Sequence, residues 1–507
     1  MKTYGYRGTI TVFFSILLIL FLSLACTLVE SARVQGARAR AGILTELGMF
    51  SVFGEYERAL LEDYDVLFLD GGYGKETLEA ATMEKRLKEY MEANAGKKGG
   101  GLLGGFQMFP LRMEECAVEG YALMTDNAGS VFYQQAVKNV KETLGTEIVS
   151  RYLEWRKESQ KQEQAAKEYT EKSQSNRTEL ARMEQEVRKA KEAEALAAQE
   201  NGTAAANPEN TPAVQVENPL EIIEKIKKMG ILGLVVKDES MVSSKTTQIS
   251  ELPSGRKRNQ GNLDMDESES GLTAEAIFQD YLVQHFPSMT DKESEGALDY
   301  QVEYILGGKD SDQENLKYVV NRLLLLREGT NFLCAAGNAQ MRGQAQTLAA
   351  AVAGVIGSGL LTPLVTTALL LAWAYGESLL DVRTLLAGGR VELIKTAATW
   401  KLSLENLGRI LEVLGECDQG GGEGLNYEEY LRVLLAAGSR EKYPMRALDM
   451  IEANLRRKEE TSAFRADNCV AKIAVKADWD IPPVFISPGN ALLWGTPALT
   501  VSGSFGY

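Results

Sequence analysis

Glu377 and Asp381 stand one helical turn apart directly after an uncharged block, 343–376, and share a helical face with Trp373. Two carboxylates at that spacing on a buried edge can act as an acid–base couple or hold a cation. The same spacing suits a polar helix end neutralised by arginines such as Arg322, Arg327 or Arg383, and this structural use is the more ordinary one. Other chemistry is sparse. A single histidine, His285, removes any multi-histidine metal site and leaves one ring for a triad or a Cys/His dyad. Its setting, Leu-Val-Gln-His-Phe-Pro, reads as the C-terminal cap of a helix. Cys26, Cys116, Cys334, Cys417 and Cys469 form no CxxC pair, so zinc and thioredoxin-type readings fail, while one or two disulfides among the last four stay open. The run 418–429 echoes a calcium loop through Asp418, Asn426 and Glu429, but Glu423 occupies the position that requires glycine. It reads instead as a turn in which Asn426 caps the next helix, as Ser311 and Glu314 do before another. No catalytic residue, cofactor or metal ligand is therefore expected, and the chain reads as non-enzymatic. With 55 Lys and Arg against 70 Asp and Glu, a net charge of -15 also argues against nucleic acid as a partner.

The elements that must position these residues begin at a run of hydrocarbon. From Ile10 to Val29 no residue is charged, and Glu30 is the first that is. Twenty residues of helix extend about 30 Å, the thickness of a bilayer core. Three uses compete: a retained signal anchor, a cleaved secretory signal, and a lipoprotein signal ending at Cys26. The run is longer than a cleavable apolar region and Ser23-Leu24 are out of register for lipoprotein processing, so the retained anchor is favoured. The expected topology is single-pass, N-terminus cytoplasmic, with the bulk of the chain extracytoplasmic.

The rest divides as follows. Residues 1–9 are a cytoplasmic head, 10–29 the anchor, and 30–63 a proline-free, stalk-like helix with Val34, Ala37, Ala41, Leu44 and Leu47 recurring at helical spacing. Residues 64–150 form the first part of an α+β domain, 151–218 a charged helical insertion with its linker, and 219–507 the second part, with a polar loop at 241–271. Strands are expected at 66–69, within 106–125, at 297–306 and at 469–475, and helices at 76–93, 273–285, 315–326, 427–435 and 445–457. Buried hydrophobic helices fill 343–386; the block 343–376 reads as a core hairpin broken at Gly357-Ser358-Gly359 and Pro363, with a second membrane span as the competing use. Within 151–198 there are eleven basic and ten acidic residues, laced for i,i+4 pairing. A seam runs through Tyr152, Trp155, Ser159, Gln162, Ala166, Tyr169, Ser173, Asn176, Leu180, Met183, Val187 and Ala190, apolar at both ends and polar in the middle. It suits either a solvated helix or a coiled coil that self-associates or recruits a partner. The fold class is α+β, predominantly helical.

The opening Arg7-Gly8-Thr9-Ile10-Thr11-Val12-Phe13-Phe14 and the sequel Leu28-Val29-Glu30-Ser31-Ala32-Arg33 resemble an uncharacterised family of clostridial, Gram-positive membrane proteins. These are similar at the N-terminus to TadE-type pseudopilins and are associated with tight-adherence (Tad, Flp-type) pilus gene clusters. The resemblance continues through Tyr64-Asp65-Val66-Leu67-Phe68-Leu69-Asp70, Tyr121-Ala122-Leu123-Met124-Thr125-Asp126-Asn127, Glu303-Tyr304-Ile305-Leu306-Gly307-Gly308-Lys309, Trp373-Ala374-Tyr375-Gly376-Glu377-Ser378 and the final Phe505-Gly506-Tyr507. It implies a single-pass, extracytoplasmic, non-enzymatic role with pilus assembly proteins as partners. It also implies prepilin-type processing between Gly8 and Thr9, where one departure stands out. Such precursors carry Glu five residues after the glycine, and this chain has Phe13. The alternative is a surface binding or sensing module that recruits its partner through the charged helix.

Overall fold

A computed structural model of the chain describes residues 7–96, 109–141, 147–200, 219–265, 270–291, 295–356, 359–416, 423–438, 440–482 and 498–507. It is α+β and mostly helical, and the chain forms two compact units. The first comprises Met1–Asn139, Glu251–Glu269 and Ile451–Tyr507; the second comprises Val140–Ser250 and Ser270–Met450.

The first unit is built on one helix. With no proline to interrupt it, α1 runs unbroken over Arg7–Phe53. Its two ends meet opposite surroundings. Ile10 is 53% exposed, Phe21 66% and Val29 44%, whereas Glu30 is 6% exposed and Ala37 and Ala41 are fully buried. From Ala41 onward the buried face (Ala41, Leu44, Met49, Val52, Phe53) lies against helix α3 (Ala80–Ala95) and an antiparallel sheet. In that sheet β3 (Cys469–Asp480) is central: it pairs with β2 (Arg112–Leu123) on one side and with β1 (Leu69–Asp70) and β4 (Ala498–Gly506) on the other. Val475, opposite Val118 in β2 and Gly503 in β4, fixes the register. The Trp479 indole donates to Thr45 Oγ1 at 3.1 Å, and the Tyr507 hydroxyl donates to the Phe53 carbonyl at 2.6 Å, so the central strand and the residue that follows β4 are both pinned to α1. Burying one side chain of this size contributes about 1.5–3 kcal/mol.

Two expectations in this unit are corrected. The stalk-like helix does not reach residue 63: α1 closes at Phe53, and α2 (Arg58–Tyr64) restarts after a turn, with Glu57 capping the Ala59 N–H. Of the strand expected at 66–69, only Leu69 joins the ladder. Asp65 ends α2 in the left-handed region at φ 51°, and the Gln135 amide bonds both the N–H and the C=O of Leu67, at 2.8 and 2.6 Å, in place of a neighbouring strand. The unit also holds α4 (Asp126–Lys141). Part of the expected polar loop at 241–271 is tied down here: Arg256 grips Glu452 and Asp467, and the Gly261 N–H donates to Asp126 at 3.0 Å.

The second unit is helical: α5 (Glu147–Glu200), α6 (Pro219–Lys227), α7 (Ile231–Val235), α8 (Leu272–His285), α9 (Gln301–Gly307), α10 (Asp312–Gly337), α11 (Ala339–Ile356), α12 (Thr362–Leu386), α13 (Ile410–Glu416) and α14 (Tyr427–Ala437), with α15 (Tyr443–Leu455) contributing to both units. Over 151–176 the charged helix is not a solvated excursion. Tyr152, Ser159, Gln162, Ala166, Tyr169 and Asn176, the first half of the predicted seam, are buried against α8, α10, α12 and α14. Gly329 of α10 makes this possible, because a Cβ there would meet the Ala165–Ala166 backbone at 2.5 Å. Beyond Asn176 the helix is largely exposed and laced by pairs such as Arg188–Glu192 at 3.0 Å. Of the linker expected at 199–218, the first two residues still belong to α5 and 201–218 lie outside the described residues.

Of the strand expected at 297–306, the part from Gln301 on is helix α9 and the part before it is irregular. The side chains of α9 are buried on every side, which leaves no period to separate strand from helix; the Pro287 carbonyl accepts the first two helical N–H groups, of Gln301 and Val302, at 2.9 and 3.1 Å, and the Asp312 carboxylate holds the turn before them through the Asp299 and Tyr300 N–H groups at 3.0 Å each. The block 343–376 is split between two helices, α11 ending at Ile356 and α12 beginning at Thr362 with Pro363 in its first turn. The second of them, α12, is long and apolar enough to cross a membrane, yet it is buried almost continuously from Ala368 to Leu385, against α5, α10 and α11.

Candidate functional site

Helix α12 places Glu377 and Asp381 side by side, both fully buried. Two cations meet them. Arg327 of α10 donates through Nε to Asp381 Oδ2 at 3.0 Å, and Lys395, from the loop after α12, bridges Glu377 Oε1 and Asp381 Oδ1, the latter at 2.6 Å. The four charges cancel. Burial alone raises the Asp381 carboxyl, but the Arg327 and Lys395 charges override it and hold that carboxyl below the ordinary range. Asn331 adds donations of 3.0 Å to Asp381 Oδ2 and to the Ser378 hydroxyl.

What the quartet holds is a loop. Glu377 accepts the backbone N–H groups of Lys401 and Leu402 at 3.0 and 2.7 Å, while Arg327 Nη1 donates to the Glu392 and Leu393 carbonyls at 2.9 Å each. The segment 392–402 is thus clasped to α10 and α12 through its own backbone. Gly376 permits the close approach, because a Cβ there would meet Leu402 at 2.6 Å. Neither carboxylate is open to solvent, and both Glu377 oxygens are engaged.

Arg327 is one of the three arginines named from the sequence. The other two act elsewhere: Arg322 pairs with Glu163 at 3.2 Å, and Arg383 donates to the Leu234 carbonyl at 3.0 Å. Lys395 was not anticipated, since it comes from an irregular segment with no periodicity to place it; its presence eighteen residues after Glu377 is the only sequence trace.

The clasped loop forms one wall of a groove of ≈ 1020 Å³. Trp400 and Leu402 face Gln340, Met341, Gln344 and Leu348 of α11 across it, and Trp373 lies at its floor. The two indoles meet edge to face at 5.4 Å, and the Trp373 N–H donates to the Leu402 carbonyl at 2.7 Å.

The remaining candidates take structural places. The His285 ring stacks on Tyr281 at 4.2 Å, with Nδ1 3.0 Å from the Tyr281 carbonyl at the end of α8. Asn426 and Glu429 form a full capping box on α14; residues 418–422 of the calcium-like run lie outside the described residues, as does Cys417. Among the described residues Cys26, Cys116, Cys334 and Cys469 are free. Ile10 and Val29 bracket the exposed part of α1, and Glu30 begins its buried part, paired with Arg33. Gly8 and Thr9 lie in the first turn of α1.

One acidic site escaped the sequence altogether. Glu303 of α9 is fully buried and forms no ion pair among the described residues; it accepts the Tyr427 hydroxyl at 2.8 Å and the Met289 N–H at 2.9 Å. Burial pushes its carboxyl up to about 7, against the lowering pull of those two donors.

Residues 209–481 match the family of unknown function DUF5702, and the chain belongs to that family. The matched span contains the clasp and the groove but not α1. No curated protein matches the chain, and no solved structure does.

Proposed function

We propose that the protein is a membrane-anchored, non-enzymatic extracytoplasmic component, pseudopilin-like in build, that serves a Tad-type pilus system. One observation carries the reading: a single helix is bare hydrocarbon over 10–29 and is then embedded in an antiparallel sheet from Ala41 to Phe53. That division suits a segment that sits in lipid at one end and is held by a folded domain at the other. Phe13, where pilin-like precursors carry Glu, fits an anchor that stays in the membrane in preference to a subunit handed into a filament, because an unpaired carboxylate there would cost several kcal/mol. The neutralised, solvent-excluded state of Glu377 and Asp381 supports the non-enzymatic part. Because the first half of the α5 seam is packed inside its own unit, contacts between α5 and pilus assembly proteins or a second copy would use residues beyond Asn176.

Protease treatment of intact cells, combined with N-terminal sequencing of the membrane-bound form, tests this. The expected result is loss of the bulk of the chain to external protease and a mature form that keeps 10–29. A chain beginning at Cys26, or one protected until the cells are opened, overturns the topology. A chain beginning at Thr9 replaces the anchor by a processed pilin-like subunit. Loss of surface pili on deletion of the protein is expected, and normal piliation in its absence removes the pilus assignment.

A further inference from the structure

We infer that the groove between α11 and the clasped loop is a binding site for a glycan chain. At ≈ 1020 Å³ it sits at the top of the usual range for small-ligand sites, roughly 300–1,000 Å³, which suits an extended ligand of several rings. Its lining combines an aromatic and aliphatic floor with uncharged groups that both donate and accept hydrogen bonds. The Gln340 and Gln344 amides lie one turn apart on α11 and face into the groove without a hydrogen bond to the described residues. On the clasped loop, the Trp400 indole N–H is shielded from solvent and has no acceptor among the described residues. A shielded donor without a partner is costly, so a ligand that brings an acceptor to it gains more than the contact alone.

The charges along the groove point away from an anionic ligand. Lys401 Nζ is turned to the Thr384 hydroxyl at 3.2 Å, and Arg409 is held by Glu412 at 2.9 Å, so both cations are engaged, while Glu405 adds a carboxylate. An extended peptide would look for a strand edge, and the walls here are a helix and a side-chain-lined loop. A sugar ring presents an apolar C–H face to indole and a rim of hydroxyls to amides, which is the pattern this groove offers. Glu377 and Lys395 then act as positioning residues, since they hold the backbone on either side of Trp400. The inference uses nothing of α1 and stands independently of the pilus reading.

The test is calorimetric and fluorescence titration of the full-length protein in detergent with chitotetraose, and in parallel with cellotetraose, which has the same ring chain without acetamido groups. Saturable binding of either is expected, with a change in tryptophan emission that W400F abolishes. Gln344→Ala should weaken binding several-fold and Trp400→Ala by roughly tenfold. Gln344 is exposed, so its variant keeps the fold and decides the matter if Trp400→Ala does not. Preference for one sugar over the other reports whether the acetamido group is read. If neither tetrasaccharide saturates at millimolar concentration, or if binding is unchanged in Gln344→Ala and in W400F, the inference fails.

Discussion

Two buried acidic sites in the helical unit have the same burial and opposite solutions. Glu377 and Asp381 are fully buried against Arg327 and Lys395, which supply equal and opposite charge at contact distance and hold the Asp381 carboxyl below its ordinary range. Glu303 is equally buried and receives a tyrosine hydroxyl and a backbone N–H, with no ion pair among the described residues. Two neutral donors do not outweigh desolvation, and its carboxyl rises to about 7. The partner's charge, not depth, decides the protonation state.

The contrast sets opposite pH signatures. Asp381, with its carboxyl lowered, contributes stability that is present above the ordinary aspartate value and is lost on acidification through the lowered one. Glu303, with its carboxyl raised, favours the folded state at low pH; that advantage falls as pH climbs from the ordinary glutamate value towards about 7, and the penalty is constant above.

The largest expected effect comes from removing a cation from the first site. Lys395→Met leaves two buried carboxylates facing one arginine and should cost about 3–5 kcal/mol, read as a fall in the urea midpoint. Adding Glu377→Gln should recover part of that loss, and a double variant no better than the single would mean that the Lys395 contact carries no weight. Next is Glu303→Gln, which keeps the acceptor for Tyr427 and Met289. It should stabilise by up to roughly 3 kcal/mol at pH 8 and be neutral near pH 4. An identical shift at both pH values would show that Glu303 titrates normally. Tyr427→Phe should cost about 1 kcal/mol and move the pH-dependent window upward, because the hydroxyl is one of the donors that lower the carboxyl. Arg322→Gln should change stability by less than about 0.5 kcal/mol, since its pair with Glu163 is 35% exposed on both sides.

How far the sequence reaches follows the same division between local and non-local causes. The i,i+4 spacing of Glu377 and Asp381, the break in 343–376 and the caps at Ser311 and Asn426 are encoded within a few residues, and each was legible. The strand at 469–475 and the helices at 427–435 and 445–457 were too, from local pattern. The charged helix misled, because polar residues such as Ser159, Gln162 and Asn176 normally mark a solvated face and here are buried beside Ala166 and Tyr169. The strand expected at 297–306 failed where complete burial erased the period. Lys395, Trp400 and the groove depend on how an irregular loop folds back over α12, and no spacing announces that.

The order in which the first unit is assembled has a consequence in time. Its central strand, β3, begins at Cys469, more than four hundred residues after the stretch of α1 that it covers, and β4 follows later still. At a synthesis rate of roughly 5–20 residues per second, Leu44, Met49 and Val52 wait on the order of half a minute for their lid. The helical unit lies between and is complete by Met450, so it has time to fold first. A nascent chain halted before residue 469 would carry a finished helical unit and an N-terminal helix whose inner face is still bare, a ready substrate for chaperones and quality-control proteases.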